Sequence, residues 1–205
     1  MSEVAPAAAT DQAPAELREP ASGPPASKVW FWLPIAPLVA LDLWSKAAVF
    51  GFLDARYPGL GQRAQHMVWD GFLRFDLVHW HNQGTIWGLF QGYNLVLVVV
   101  RMAAVVLLVA YGLRREPPAG RGLLLVLGAI LAGALGNLYD NFTVAIPKGG
   151  VRDFLYLTFF RGTSWEYGFP AFNVADACIS VGVMCLVLSI MFGGESKKVA
   201  GTSPT

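Results

Sequence analysis

Four stretches of this chain are long and apolar enough to cross a lipid bilayer: near Val29–Phe50, Tyr93–Leu113, Arg121–Phe142 and Pro170–Phe192. A spanning helix needs about 20 such residues. Lipid offers no partner to a bare N–H or C=O, so each segment has to satisfy its own backbone, as a helix does. Of the 205 residues, 14% are charged and 55% hydrophobic, whereas soluble domains carry about 25% charged residues. The chain reads as an all-α polytopic membrane protein with four transmembrane helices and small extramembranous additions.

Residues 1–27 are rich in Ala, Pro, Ser and Glu and bury too little to repay the entropy of ordering, so a disordered tail is expected there. Residues 28–192 form the membrane domain, and 193–205 a second tail. The first apolar run is too long for the h-region of a cleaved signal peptide and carries Asp42 and Lys46. It reads as a retained span whose early turns are loosened by Pro34 and Pro37. Arg114, Arg115 and Arg121 crowd the short second connection, Lys28 precedes the first span, and Lys197 and Lys198 follow the last. The positive-inside rule then puts both termini in the cytoplasm and the long connections outside. A net charge of +1 without a basic stripe gives no sign of a nucleic-acid partner.

The long connections differ in texture. Residues 60–92 hold short alternating aromatic and branched runs with turn signals at Asp70-Gly71 and Gln83-Gly84, the pattern of a small sheet or cradle. Residues 143–169 are aromatic and glycine-bearing, which suggests a flap lying in the membrane interface. Cys178 and Cys185 lie seven residues apart, about 10 Å along a helix, too far for a disulfide. They read as small buried apolar side chains.

Ionisable groups at membrane depth are costly and read as functional. Asp153 stands just outside one apolar run and Asp176 at the entrance to the next. Two carboxylates held close cannot both ionise cheaply, so one keeps a proton. The ionised member can then take a proton from water while the other polarises a carbonyl. The Asn-x-x-Asp spacing occurs twice, as Asn137/Asp140 and Asn173/Asp176. On a helix each pair shares a face, and Asp42 and Asn82 are expected at the same depth. Polar contacts between spans are the plainer role for the asparagines. His79 and His81 share a strand face but lack further ligands, so no metal or other cofactor is expected. Ser45 and Lys46 are adjacent and do not face each other on a helix.

Five blocks in order carry a resemblance: Leu41–Lys46, Asn82–Gly88, Gly133–Asp140, Val151–Phe154 and Phe172–Asp176. Together they resemble lipoprotein signal peptidase, or signal peptidase II, over residues 30–192. The resemblance implies four spans, a periplasmic β-cradle and a metal-free aspartic endopeptidase of the bacterial inner membrane. It implies cleavage of prolipoproteins before a diacylglyceryl-modified cysteine, within membrane lipid, by a monomer open to globomycin-type inhibitors. Asp153 and Asp176 match its catalytic pair. Asp42, Lys46, Asn82, Gly84, Asn137, Asp140 and Asn173 match positions that support the site or touch substrate.

One position departs from that pattern. Members usually carry Arg directly after the aspartate matched by Asp140, and here Asn141 stands there. An amide offers fewer donors than a guanidinium. Arg152, bonded in sequence to Asp153, is the candidate to compensate, whereas Arg101, midway along the second span, has no partner legible in the sequence. The rival functions are a catalytically silent paralogue that binds lipoproteins and a small transporter or proton conduit built on buried carboxylates.

Overall fold

A computed structural model describes residues 27–82, 94–114, 120–143 and 150–193. The two expected tails lie almost wholly outside these residues, as do Gln83 and Gly84. Among the described residues, four helices have the length and apolarity to cross a membrane. The first span, Val29–Arg56, is two helices, α1 (Val29–Trp32) and α2 (Ile35–Arg56). Pro34 stands at the N-cap of α2 and Pro37 in its first turn, where a missing N–H costs nothing because those donors have no intrahelical acceptor. The other spans are α3 (Asn94–Gly112), α4 (Arg121–Thr143) and α5 (Val174–Gly193).

The all-α expectation is too narrow, because the helices carry a four-stranded antiparallel sheet. Its order is β1 (Gln65–Trp69), β2 (Leu73–Asn82), β3 (Val151–Phe159) and β4 (Tyr167–Phe172). The expected hairpin at Asp70-Gly71 joins β1 to β2. The segment expected as an interfacial flap instead supplies the other two strands. An isolated hairpin is marginal in water, and further strands with an apolar face make a sheet stable. Val151, Asp153, Leu155, Leu157 and Phe159 alternate along β3, the period of one face of a strand. Pro170 belongs to β4, so the last span begins four residues later than expected, at Val174.

The helix bundle has an apolar end and a polar end. Away from the sheet, Phe31, Leu124 and Leu131 form a buried cluster with Val105, Leu108 and Tyr111 packed around it. Towards the sheet, α4 meets α2 and α5 through small residues. A Cβ on Gly133 would lie 2.4 Å from the Ala175 carbonyl oxygen, and one on Gly136 would lie 2.4 Å from Oδ2 of Asp42. Such close backbone approach is how membrane helices pack tightly. Asp42 cannot retreat, since its two oxygens are bonded to the Ala175 N–H and to Lys46. Gly136→Ala is therefore expected to lower stability by about 1–3 kcal/mol, the usual cost of overpacking. Thermal unfolding in detergent micelles measures it, and an unchanged midpoint would show that the helices can part there freely.

Candidate active site

The β2–β3 register sets Trp80 opposite Asp153 and Asn82 opposite Val151. A register shift between Leu77 and Trp80 re-aims the end of β2, as bulges near sites do. Asn82 thereby donates from Nδ2 to Oδ2 of Asp153 at 2.9 Å, and Asn173 donates from Nδ2 to its Oδ1 at 2.7 Å.

Asp176 is placed by the start of α5. Asn173 is the cap of that helix, not a residue within it, so its pairing with Asp176 is not the shared helix face the spacing suggested. The Asp176 N–H donates to Asn173 Oδ1 at 2.9 Å, and the Asn173 N–H donates back to Asp176 Oδ2 at 3.3 Å. This reciprocal capping box satisfies two orphan donors at the helix N-terminus. Asn137, on α4, donates from Nδ2 to the remaining oxygen, Oδ1 of Asp176, at 2.7 Å. Asn173 thus touches both carboxylates, by side chain to one and by backbone to the other. Asn137 and Asp140, by contrast, do lie within one helix, and both are buried.

Under the two carboxylates lies a buried cation. Lys46 Nζ is 2.7 Å from Asp42 Oδ2, 3.1 Å from Asn137 Oδ1 and 3.1 Å from Asp140 Oδ2. Three donors meet three acceptors, so the ammonium is fully satisfied. Asp42 Oδ1 accepts the Ala175 N–H at 2.9 Å, joining the first span to the start of the last. Asp140 also holds Arg152, whose Nε and Nη2 reach Oδ1 at 3.1 and 2.7 Å and whose backbone N–H reaches Oδ2 at 3.0 Å. Arg152 therefore fixes the start of β3, one residue before Asp153.

Burial pushes the Asp153 carboxyl well above the ordinary carboxylate range, and the neighbouring Asp176 charge pushes the same way. The two amide donors oppose this without cancelling it. A carboxyl that keeps its proton beside another held by two hydrogen-bond donors has the makings of an acid–base pair.

Every expected site residue among those described joins this cluster, directly or through one neighbour; Gly84 lies outside them. Sequence reasoning missed the partner of Arg101, whose Nη1 donates to Asn141 Oδ1 at 2.6 Å. Contacts between residues so far apart on separate helices leave no local signal. It also missed that Cys185 is exposed and Cys178 only partly covered. His79 and His81 flank Phe50, with His79 facing Asp54 at 3.3 Å. Among the described residues no three His, Cys, Asp or Glu group as metal ligands would. A cavity of about 530 Å³ between α4 and α5, lined by Leu125, Val126, Leu155, Val174 and Cys178 among others, carries no acid, base or amide.

A family model described as Signal peptidase (SPase) II matches residues 35–192. The lipoprotein signal peptidase of Chlamydia trachomatis serovar L2b (strain UCH-1/proctitis) is 33% identical over 167 residues, 82% of this chain and 94% of that protein. The lipoprotein signal peptidase of Geobacillus thermodenitrificans (strain NG80-2) is 32% identical over 170 residues, 83% of this chain and 94% of the relative. A solved structure described as a bacterial membrane enzyme shares the fold, with a TM-score of 0.61 at 22% identity, covering 85% of this chain and 94% of that one. Matched over most of its length by both the family model and these relatives, the chain belongs to the signal peptidase II family of aspartic-type lipoprotein signal peptidases.

Proposed function

We propose that Asp153 and Asp176 are the catalytic pair of this peptidase, activating water to cut a prolipoprotein before its diacylglyceryl-modified cysteine. The observation that carries the reading is the bridge by Asn173, which binds both carboxylates at the sheet end of four membrane-spanning helices. Asp176, ionised, takes a proton from water. Asp153, protonated, donates towards the scissile carbonyl as the water oxygen attacks carbon. As the C–N bond breaks, Asp176 passes its proton to the leaving amine and the hydroxyl proton of the tetrahedral intermediate returns to Asp153, which restores the starting state. Asn82, Asn137 and Asn173 orient the carboxyls, while Asp42, Lys46, Asp140 and Arg152 hold the elements that carry them.

The sheet faces the periplasm and both termini the cytoplasm, an orientation supported by the basic residues of the short second connection and the last tail. The sheet then shields a cleavage point at the membrane boundary. The apolar cavity adjoins the pair through Leu155 and Val174, each two residues from one of the aspartates, which suits an acyl chain of the substrate. The lipid anchor sets the depth of the scissile bond, and displacement from attack geometry by as little as 1 Å can cost about a hundredfold in rate.

A purified precursor with its diacylglyceryl group should be cleaved, and the same precursor without it should be cut about a hundredfold more slowly. Chelators should leave the rate unchanged. Equal rates on the two precursors would point to a general signal peptidase. Tight binding of the lipidated precursor with no turnover would favour the binding-only reading that Asn141 raises.

A further inference from the structure

Arg101 is the cation that the proposed chemistry leaves unused. It lies seven residues into α3, a span of 19 residues with no other charged side chain. A charge there is costly unless something repays it. Among the described residues its sole hydrogen bond is the 2.6 Å contact to Asn141 Oδ1, and it forms no ion pair. A neutral amide does not balance a full charge.

A guanidinium that merely sought the water interface would need no such anchor. Asn141 directly follows Asp140, the residue clamped by Lys46 and Arg152, so the anchor is itself rigid. It fixes one nitrogen and, among the described residues, leaves the other donors of the planar fork without a partner. None of these donors is sealed away without a partner, since the buried unsatisfied side-chain atoms among the described residues are on Asp76 and His79. The group is half-buried and within electrostatic reach of Asp176, Asp153 and Asp140. The guanidinium is bonded to the residue after Asp140, and Asp140 holds Arg152 beside Asp153, so it stands next to the cluster that a substrate of the two aspartates must approach.

We propose that Arg101, aimed by Asn141, is a substrate-binding residue whose remaining N–H groups donate to carbonyl oxygens of the lipidated precursor beside the Asp153–Asp176 pair. Carbonyls fit better than a carboxylate or phosphate, because the Asp176 and Asp140 charges within electrostatic reach of the guanidinium would repel a further anion. The assignment rests on the proposed catalytic pair. Two parts of the precursor carry such oxygens, the peptide backbone and the esters of the diacylglyceryl group.

The test uses the full chain in lipid nanodiscs and compares Arg101→Gln, Arg101→Lys, Asn141→Ala and the relocated-charge double variant Arg101→Gln/Asn141→Arg. Substrates are one precursor bearing the ordinary diester lipid and one bearing a dialkyl ether lipid without ester carbonyls. Arg101→Gln should lower kcat/KM on the diester substrate by about ten- to a hundredfold, mostly through KM, the scale of one charge-assisted hydrogen bond. Lys should recover only part of this, since a point charge does not reproduce a fork. The double variant should recover activity relative to Arg101→Gln, and Asn141→Ala should raise KM several-fold. A loss that persists on the ether substrate assigns the peptide carbonyls, and a loss that vanishes on it assigns the esters. Unchanged KM for both substrates in Arg101→Gln overturns the proposal. So does a fall in kcat alone that tracks a lowered thermal midpoint, since that is a packing effect. Asp153→Asn, assayed alongside, reports on the catalytic pair separately, so failure of one assignment is not mistaken for failure of the other.

Discussion

Asp153→Asn and Asp176→Asn are each expected to slow cleavage of a lipidated precursor by about 10²–10⁴-fold, the range supplied by a positioned acid or base. Both variants should still fold, since each substituted side chain sits among amides able to reorient. Two groups that share one proton work as a unit, so the double variant should be scarcely slower than either single one. Single-turnover cleavage in micelles, with thermal unfolding as the check on folding, measures this. Near-normal turnover by either variant would remove the pair from the mechanism. The pH profile carries the same assignment. Asp153 must hold its proton to act as the acid, and its carboxyl lies above the usual range because of burial and the Asp176 charge. Activity should therefore fall as pH rises through that elevated value. The Asn82 hydrogen bond favours the ionised carboxylate, so Asn82→Ala should move the alkaline limb to still higher pH. A limb moving downward would contradict the geometry.

The second large effect is expected in stability. Lys46→Ala removes the one ammonium that meets Asp42, Asn137 and Asp140. Breaking a buried ion pair from one side leaves a charge without compensation and costs about 3–5 kcal/mol. Asp140 keeps Arg152, so most of the damage should fall on Asp42, which keeps only the Ala175 N–H and the contact at Gly136. Lys46→Met/Asp42→Asn should then be more stable than Lys46→Met alone, because the orphaned charge has gone, a coupling typical of groups in one network. Unfolding in mixed micelles gives both differences. Equal stabilities for Lys46→Met and the wild type would mean that the ammonium is not the anchor its contacts suggest.

Much of this arrangement is legible in the sequence for a physical reason. Lipid permits few solutions for an apolar run, so the four spans follow from length and hydropathy. Asp42, Lys46 and Asp140 stand out because charges are rare at that depth. The sheet was only half legible. Its first hairpin showed through the turn at Asp70-Gly71, but the aromatics of β3 and β4 suit a strand as well as a membrane interface. Nothing local to Val151–Phe159 says that it pairs with β2, and strand partners distant in sequence are fixed by tertiary packing. The Asn173/Asp176 pair illustrates a different ambiguity. A three-residue spacing is shared by a helix face and a capping box, and the boundary of α5 decides between them. Arg101 was conspicuous as a charge but mute as to partner, because the register between α3 and α4 is not written in either helix alone.

Asp42 and Lys46 sit one turn apart on the same helix, with the acid nearer the N-terminus, the favourable order for such a pair. Each alone would oppose entry into the bilayer by about 2.5–3.5 kcal/mol at a helix centre. Together they neutralise one another without help from any other span. This helix can thus leave the translocation machinery with the pair's charge already balanced, before the segments bearing Asn137, Asp140 and Ala175 have been synthesised. What it retains is one unused carboxylate oxygen, a ready-made acceptor that waits for the final helix to arrive and dock its amino end.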